Sequence, residues 1–148
     1  MLSDFIAIAR HYAYTHRTEV HGDLYWSRKG FYYLDIPQQE VHRYWVVPGR
    51  PDDELSENMR KIGEIHSHHF MVPIPSPTDD ENETAPILYA IVGNMDKFFP
   101  DITLRTWHKG VHITLDPQKV FESPFQGFQY DLEQVEISDS VMEDEDDY

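Results

Sequence analysis

The sequence contains no cysteine, which excludes disulfide bonds, thiol catalysis and metal sites built from cysteine ligands. Basic residues are also scarce: 12 lysines and arginines stand against 27 acidic residues, so the formal net charge is −15. Because no basic stripe is available to displace counterions from phosphates, the composition disfavours nucleic-acid binding. No apolar run approaches the roughly 18 residues of a membrane span, and the first residues lack the pattern of a signal peptide. We therefore expect a cytoplasmic protein without a membrane partner.

The apolar content is sufficient for one folded domain. Hydrophobic residues occupy 40% of the 148 positions and aromatic residues 14%, which argues against global disorder. The acidic residues are concentrated at the end of the chain: nine of them lie within residues 131–148, which leaves −6 for residues 1–130. This distribution predicts a single domain over residues 1–130 and an acidic, disordered tail over residues 131–148. Such a tail favours solubility or, as an alternative, docks to a basic partner.

The order of helical and extended patterns predicts a mixed α/β domain, in which several strands form a sheet flanked by at least two helices. Residues 3–15 carry apolar side chains at helical spacing, with Ser3 as the N-cap. A second helix is expected over residues 76–85 with Ser76 as its N-cap, and a short one within residues 49–61. Strands are predicted over residues 19–27, 30–37, 41–48, 61–68 and 87–96, and a hairpin over residues 101–117.

Two histidines, His66 and His68, are separated by one residue at the end of a predicted strand. Side chains at positions i and i+2 of a strand point to the same face, so both imidazoles are directed at one point. Asp79, in the first turn of the second predicted helix, offers a carboxylate as the third ligand. Two histidines and one aspartate leave the fourth tetrahedral position for water, which is typical of a catalytic rather than a structural zinc site.

Ser76 lies three residues before Asp79, so its hydroxyl caps the helix, donates to an oxyanion formed beside the metal, or does both. A water activated by zinc also needs a base, and glutamate is the usual base where histidines already serve as ligands. Glu64 is a candidate because it shares strand parity with His66, and it either faces the metal or orients one of its ligands. His69 has the opposite parity, so we expect it on the loop surface, with a contact to a ligand as the alternative.

The pattern His66-Ser67-His68, seven residues, Ser76-Pro77-Thr78-Asp79 fits H-x-H-x(7)-S-x-x-D in full and resembles the JAMM motif of the MPN (JAB) metalloprotease family. This family also has a catalytic glutamate upstream, often within E-x-x-G, and Glu19-Val20-His21-Gly22 has that form. The resemblance implies that zinc is held by His66, His68 and Asp79. It further implies that Glu19 is the general acid and base and that Ser76 stabilises the oxyanion.

The same resemblance implies a fold and a size class. It predicts an MPN (JAB)-like mixed sheet flanked by helices, layered as in cytidine deaminases. The chain is similar to the compact bacterial branch of the family, because it is too short for the long insertions of some eukaryotic relatives. One departure is His69, which stands where proline often follows the second histidine of the motif. The remaining histidines have no comparable partners in sequence, and we expect structural or exposed roles for His21, His42, His108 and His112.

The function that the resemblance implies is a zinc-dependent metalloprotease or isopeptidase. Its expected substrate is a ubiquitin-like protein or a peptide, which the enzyme releases or trims at the carboxyl-terminal tail. Two alternatives stay open: a non-catalytic MPN scaffold that only binds partners, and a zinc hydrolase of small amides. The scaffold is disfavoured because such proteins usually lack one or more motif residues, and this chain has all of them.

Overall fold

A computed structural model describes residues 1–49 and 57–122 of the chain. Helix α1 spans Leu2–His16, and its N-cap is Met1. The prediction of Ser3 as the cap is wrong, because the Met1 carbonyl already accepts a hydrogen bond of 3.1 Å from the Phe5 amide. Ser3 therefore lies inside the first turn. The helix ends at Arg17, whose left-handed conformation, with φ of 53°, stops further helical hydrogen bonding.

The described residues contain eight strands and a second short helix, α2, which spans Pro77–Asn82. The strands are β1 (His21–Ser27), β2 (Tyr32–Asp35), β3 (Gln39–Val41), β4 (Val46–Pro48), β5 (Met59–Ser67), β6 (Leu88–Gly93), β7 (Asp101–His108) and β8 (Val111–Leu115). Six of them form one sheet in the order β2-β1-β5-β6-β7-β8. β5 and β6 run parallel, and α2 lies on the connection between them, while the other neighbours in this sheet are antiparallel.

The predicted strand at residues 41–48 is wrong as a single element. The chain reverses within it, and β3 pairs with β4 in a separate two-stranded sheet. The reversal is closed by the His42 amide, which donates to the Trp45 carbonyl at 2.9 Å. The aromatic and β-branched composition favours an extended backbone but carries no information about where that backbone turns.

The other predicted elements are found with shifted ends. β1 begins at His21, so Glu19 lies just before the strand, and α2 ends at Asn82. The hairpin predicted over residues 101–117 is confirmed: Lys109 and Gly110 connect β7 to β8 with φ values of 49° and 84°, as a two-residue turn with both angles positive requires. The helix predicted within residues 49–61 and the acidic tail lie largely or wholly outside the described residues.

Helix α1 packs against one face of the six-stranded sheet. Phe5, Ala9 and Ala13 contribute fully buried side chains from the helix. The sheet contributes alternate residues of its inner strands, namely Leu24, Ile65, Ala90, Val92 and Leu104. Because neighbouring residues of a strand point to opposite faces, the residues between them form the other face. That second face carries the polar side chains of the candidate site.

Candidate metal centre

The two histidines of the predicted ligand set lie at the carboxyl end of β5, in the interior of the sheet. His66 is paired with His21 of β1 and with Ile91 of β6. His68 follows the strand, and its amide continues the ladder by donating to the Val92 carbonyl at 2.8 Å. The alternation of side chains along β5 thus extends to His68. Because of this alternation, the imidazoles of His66 and His68 both point to the face opposite α1.

Asp79 reaches the histidines from the first turn of α2. The prediction of Ser76 as N-cap is confirmed, because its Oγ accepts from the Asp79 amide at 3.1 Å. In return, the Asp79 carboxylate accepts from the Ser76 amide at 2.7 Å. This reciprocal capping box satisfies two amides at the helix start and limits the rotation of the Asp79 side chain.

His66, His68 and Asp79 form one group that could hold a metal ion. The two Nε2 atoms lie 3.1 Å apart, and the Asp79 oxygens lie 3.4 Å from His66 Nε2 and 3.7 Å from His68 Nε2. Ligand atoms at about 2.0 Å from a tetrahedral zinc ion are separated from each other by about 3.3 Å. The three observed distances bracket this value, so the residues present fit a tetrahedral ion with three protein ligands.

The two histidines of the group differ in how readily they would release a proton to a metal ion. Burial lowers the pKa of His66 to about 4, so its imidazole is neutral at pH 7. Burial disfavours charge on Asp79 as well, but the nearby imidazoles of His68 and His66 and the hydrogen bonds from Ser76 hold the pKa of this carboxyl well below its usual range. His68 Nδ1 donates to the Val72 carbonyl at 3.1 Å, which orients Nε2 toward the other two ligands. Burial favours the neutral imidazole of His68, but the nearby Asp79 carboxylate and the Val72 carbonyl raise the pKa of His68, so metal binding there would displace a proton.

Glu19 is buried, with 5% of its surface exposed, in the segment that leads into β1. Its amide donates to the His42 carbonyl at 2.9 Å, and the next residue, Val20, exchanges hydrogen bonds with Ser67 through its backbone. These contacts place Glu19 beside the end of β5. Burial raises the pKa of Glu19 to about 7, while the nearby His68 opposes that shift and Asp79 adds to it.

Ser76 has a second hydrogen bond in addition to its cap. Its Oγ donates to Asp79 Oδ2 at 2.8 Å, while the same oxygen of Ser76 accepts from the Asp79 amide. The hydroxyl is therefore engaged with a ligand carboxylate in this structure. A role toward a substrate oxyanion requires the hydroxyl to exchange that bond for a new one.

His69 does not lie on the loop surface, and this expectation is wrong. Only 6% of its surface is exposed, and a left-handed backbone, with φ of 43°, turns the chain at this residue. Nε2 donates to the Arg43 carbonyl at 3.0 Å, and Nδ1 accepts from the Phe70 amide at 2.7 Å. His69 is thus a buried link between the β3–β4 hairpin and the loop after β5, outside the ligand group.

Glu64 lies on the same face as His66, as its parity predicts, but its carboxylate binds Lys61 at 2.7 Å. Lys61 also contacts Asp23 at 2.8 Å, and Asp23 accepts from His21 Nε2 at 2.9 Å. Although burial favours the neutral acid, the hydrogen bonds from His21 and Lys61 hold the pKa of Asp23 below its usual range. A chain of polar groups therefore extends across the sheet from Glu64 to the residue paired with His66.

Sequence reasoning missed a further group, which contacts α2 from the distal strands. Arg105 of β7 binds Asp80 and Glu83, each at 2.6 Å. His112 of β8 donates from Nε2 to the Glu83 carbonyl at 2.8 Å. Arg105 and His112 lie more than 20 positions after Asp80 and Glu83 in the chain, and no spacing rule connects the two pairs. The only available signal was an arginine inside a predicted strand, where an unpaired charge is rarely buried.

Fold and site together define a compact α/β domain with a two-histidine, one-aspartate group that could hold a metal ion at the end of a central strand. The profile of the prokaryotic homologs of the JAB domain matches residues 4–108. The chain belongs to this family, which confirms the resemblance drawn from the motif. A search of curated proteins gives no match.

Two solved structures are similar to the chain. A protein from Desulfitobacterium hafniense, known from its solution structure, aligns with a TM-score of 0.50 and 17% identity over 78% of this chain and 85% of that one. A protein from Salinibacter ruber, also known in solution, aligns with a TM-score of 0.42 and 19% identity over 76% and 86%. The first similarity supports the mixed α/β fold, while the predicted layering as in cytidine deaminases stays a prediction. Across the described residues, neither helix has the length and apolarity to cross a bilayer.

Proposed function

We propose that the protein is a zinc-dependent hydrolase of amide or isopeptide bonds that acts on a ubiquitin-like protein or on a peptide. The observation that carries this proposal is the burial of Glu19 beside the group of His66, His68 and Asp79. A metal site and a carboxylate that can accept and donate a proton are the two components that zinc-dependent amide hydrolysis uses.

Zinc is the metal that the donor set favours. Two imidazoles and one carboxylate suit a borderline ion, and their mutual distances fit tetrahedral geometry. His66, His68 and Asp79 would hold the ion and leave its fourth position for water or substrate. When bound, zinc supplies a water of lowered pKa and polarises the scissile carbonyl.

Glu19 performs the proton transfers in the proposed reaction. Without metal, a pKa of about 7 divides the carboxyl between its two protonation states at neutral pH, and a zinc ion beside it would favour the ionised form that accepts a proton. The ionised form accepts the proton of the attacking water, and the protonated form donates it to the leaving amine. The low exposure of Glu19 keeps bulk water away from the carboxyl, so the proton is retained between the two steps.

Ser76 assists the negative charge that develops on the scissile carbonyl oxygen. Its hydroxyl is a donor on the first turn of α2, next to Asp79. The positive end of the helix adds in the same direction, although a helix of six residues contributes only a small dipole. We expect Ser76→Ala to lower kcat more than it changes KM, because the bond to the oxyanion exists only in the transition state.

The choice of a polypeptide over a small amide rests on the family, because the motif of His66, His68 and Asp79 resembles that of its metalloproteases and isopeptidases. The ligand side chains are not fully enclosed, with exposures of 7% to 18%.

The test uses the zinc-loaded protein and a ubiquitin-like protein fused at its carboxyl terminus to a reporter by a peptide bond. We expect cleavage that a chelator abolishes and added zinc restores. Glu19→Gln should abolish cleavage and keep stoichiometric zinc, because Glu19 is not a ligand. Glu64→Gln is the matched control, since it removes the charge of the other candidate base, and it should cleave at close to the original rate.

One result would change the assignment of the base, and another would overturn the hydrolase itself. Normal cleavage by Glu19→Gln together with loss of cleavage in Glu64→Gln would transfer the role of the base to Glu64. Full zinc content without cleavage of protein, peptide or small amide substrates would leave the non-catalytic binding module as the function. Loss of zinc in Asp79→Ala, measured by metal analysis, completes the assignment of ligands.

A further inference from the structure

Helix α2 carries a candidate ligand but has little to hold it in place. It contains six residues, Pro77–Asn82, and none of them is buried. A helix of this length is unstable by itself in water, and burial of an apolar face is the usual way to stabilise one. Asp79 nevertheless requires a fixed position, because its oxygens lie within 3.4 and 3.7 Å of the two histidines. Contacts outside the helix must therefore position it.

Arg105 supplies the strongest of these contacts. Its two terminal nitrogens bind Asp80 Oδ1 and Glu83 Oε2, each at 2.6 Å, so one guanidinium holds two points on the same short segment. Asp80 directly follows Asp79. Glu83 is the C-cap, and its amide donates to the Asp79 carbonyl at 2.9 Å. Arg105 thus binds two residues that are directly linked to Asp79: Asp80 by a peptide bond and Glu83 by a hydrogen bond.

The pair of Arg105 with Glu83 is buried, while the pair with Asp80 is partly exposed. Arg105 and Glu83 have side-chain exposures of 9% and 6%, whereas Asp80 is 55% exposed. His112 of β8 adds a third contact by donating to the Glu83 carbonyl at 2.8 Å, and its ring meets Trp107 edge-on with 4.8 Å between centroids. The far end of α2 is therefore bound to β7 and β8.

We propose that Arg105 is a positioning residue for the metal centre. Its planar fork, anchored in the sheet, sets the distance from α2 to β5 and so keeps Asp79 in reach of His66 and His68. Arginine is suited to this task because its donors have a fixed geometry, whereas lysine offers one rotatable ammonium. The inference rests on the proposed function only in requiring that the ligand group bind zinc.

The test measures zinc affinity of the full chain by competition with a chromogenic chelator. Arg105→Met keeps the apolar stem of the side chain and removes the guanidinium, and we expect zinc binding to weaken by about 10- to 100-fold. Arg105→Lys keeps the charge and should give a smaller loss. The matched control is Lys97→Met, which removes an exposed ion pair with Asp101, and it should leave the affinity unchanged.

A second readout separates positioning from general destabilisation. Unfolding of the metal-free proteins is followed by circular dichroism, so that all affinities are compared at a temperature at which each variant is folded. Cobalt replaces zinc, and its visible absorption reports the coordination number. We expect Arg105→Met to change that spectrum while it remains folded. If Arg105→Met does not fold, Glu83→Gln removes the buried partner alone and should weaken zinc binding in the same direction.

Unchanged zinc affinity and an unchanged cobalt spectrum in folded Arg105→Met and Glu83→Gln would overturn the proposal. That result would leave the hydrolase proposal intact, because it concerns only how Asp79 is held. Conversely, zinc binding that weakens as expected in a protein without hydrolytic activity would support the positioning role and contradict the hydrolase.

Discussion

At the scale of single residues, Glu19 shows how burial sets a chemical role. Free in water, a glutamate of pKa 4.5 is ionised at neutral pH and is a weak base; in the fold its pKa rises to about 7. The folded protein thus binds this proton more tightly than the unfolded chain. Between the two pKa values folding takes up a proton, so the stability contributed by this group decreases as pH rises and is lost above about pH 7.

This linkage predicts the effect of Glu19→Gln on the metal-free protein. Glutamine mimics the neutral acid at every pH, so the variant should lack the decline between pH 5 and 8. A rise of the pKa from 4.5 to about 7 changes the free energy of unfolding by about 2.5 kcal/mol between pH 5 and pH 8, which is the expected gain of the variant relative to the original protein over this range. Urea unfolding in the presence of a chelator, at both pH values, measures it.

A constant difference between the two proteins across this pH range would contradict the raised pKa. Glu64→Gln is the control for this measurement, because Glu64 is bound by Lys61 near the surface and has no comparable burial.

At the scale of elements, the loop between β5 and α2 couples the site to the end of β6. Gly93 ends β6, and a Cβ placed there would meet the Met71 carbonyl and lie 2.7 Å from the Pro73 nitrogen. These backbone atoms flank Val72, whose carbonyl accepts from His68. The absence of a side chain at Gly93 therefore allows the loop to hold a ligand histidine in its orientation.

Gly93→Ala should displace residues 71–73 and so disturb His68. We expect a loss of about 2 kcal/mol in the free energy of unfolding and zinc binding weakened by about tenfold. Chemical denaturation and zinc competition measure the two effects. The control is Gly30→Ala, at a turn with φ of 89° and open space around it, where only strain of about 1 kcal/mol is expected. Equal zinc affinities in the two variants would contradict the proposed link between Gly93 and the orientation of His68.

At the scale of the whole molecule, charge and fold are distributed unequally along the chain. Nine of the 27 acidic residues lie within residues 131–148, while the family match ends at residue 108 and the core reaches Phe121. The net charge of −15 thus comes largely from a part of the chain that supplies none of the site residues. Removal of residues 131–148 should change solubility and long-range electrostatics more than it changes the reaction at the site.

We accordingly predict that a chain of residues 1–130 folds and binds zinc as the full chain does. Its net charge falls to −6, so its solubility near neutral pH should decrease. Zinc affinity is expected to change by less than about threefold, because residues 131–148 contain none of the predicted ligands and physiological salt screens exposed charges. Loss of cooperative unfolding in the shorter chain would show instead that the last residues belong to the fold.

The candidate site was predictable from sequence because its geometry is local. His66 and His68 face one way through the alternation of a strand, and Ser76 caps a helix whose first turn contains Asp79. The β7–β8 turn was predictable in the same way, from Lys109 and Gly110 between two extended runs. Each of these features depends on residues within a few positions of one another, where backbone sterics and hydrogen bonding act without the rest of the chain.

The tertiary structure decided what depends on distant contacts. It buried His69 against the β3–β4 hairpin, turned residues 41–48 into that hairpin, and brought Arg105 to the acidic residues of α2. It also gave Glu19 the low exposure that raises its pKa. The sequence by itself determined which side chains could bind a metal, because spacing and alternation are local. Burial and ion pairing arise only when strands far apart in sequence pack together, and they determined how those side chains are held and protonated.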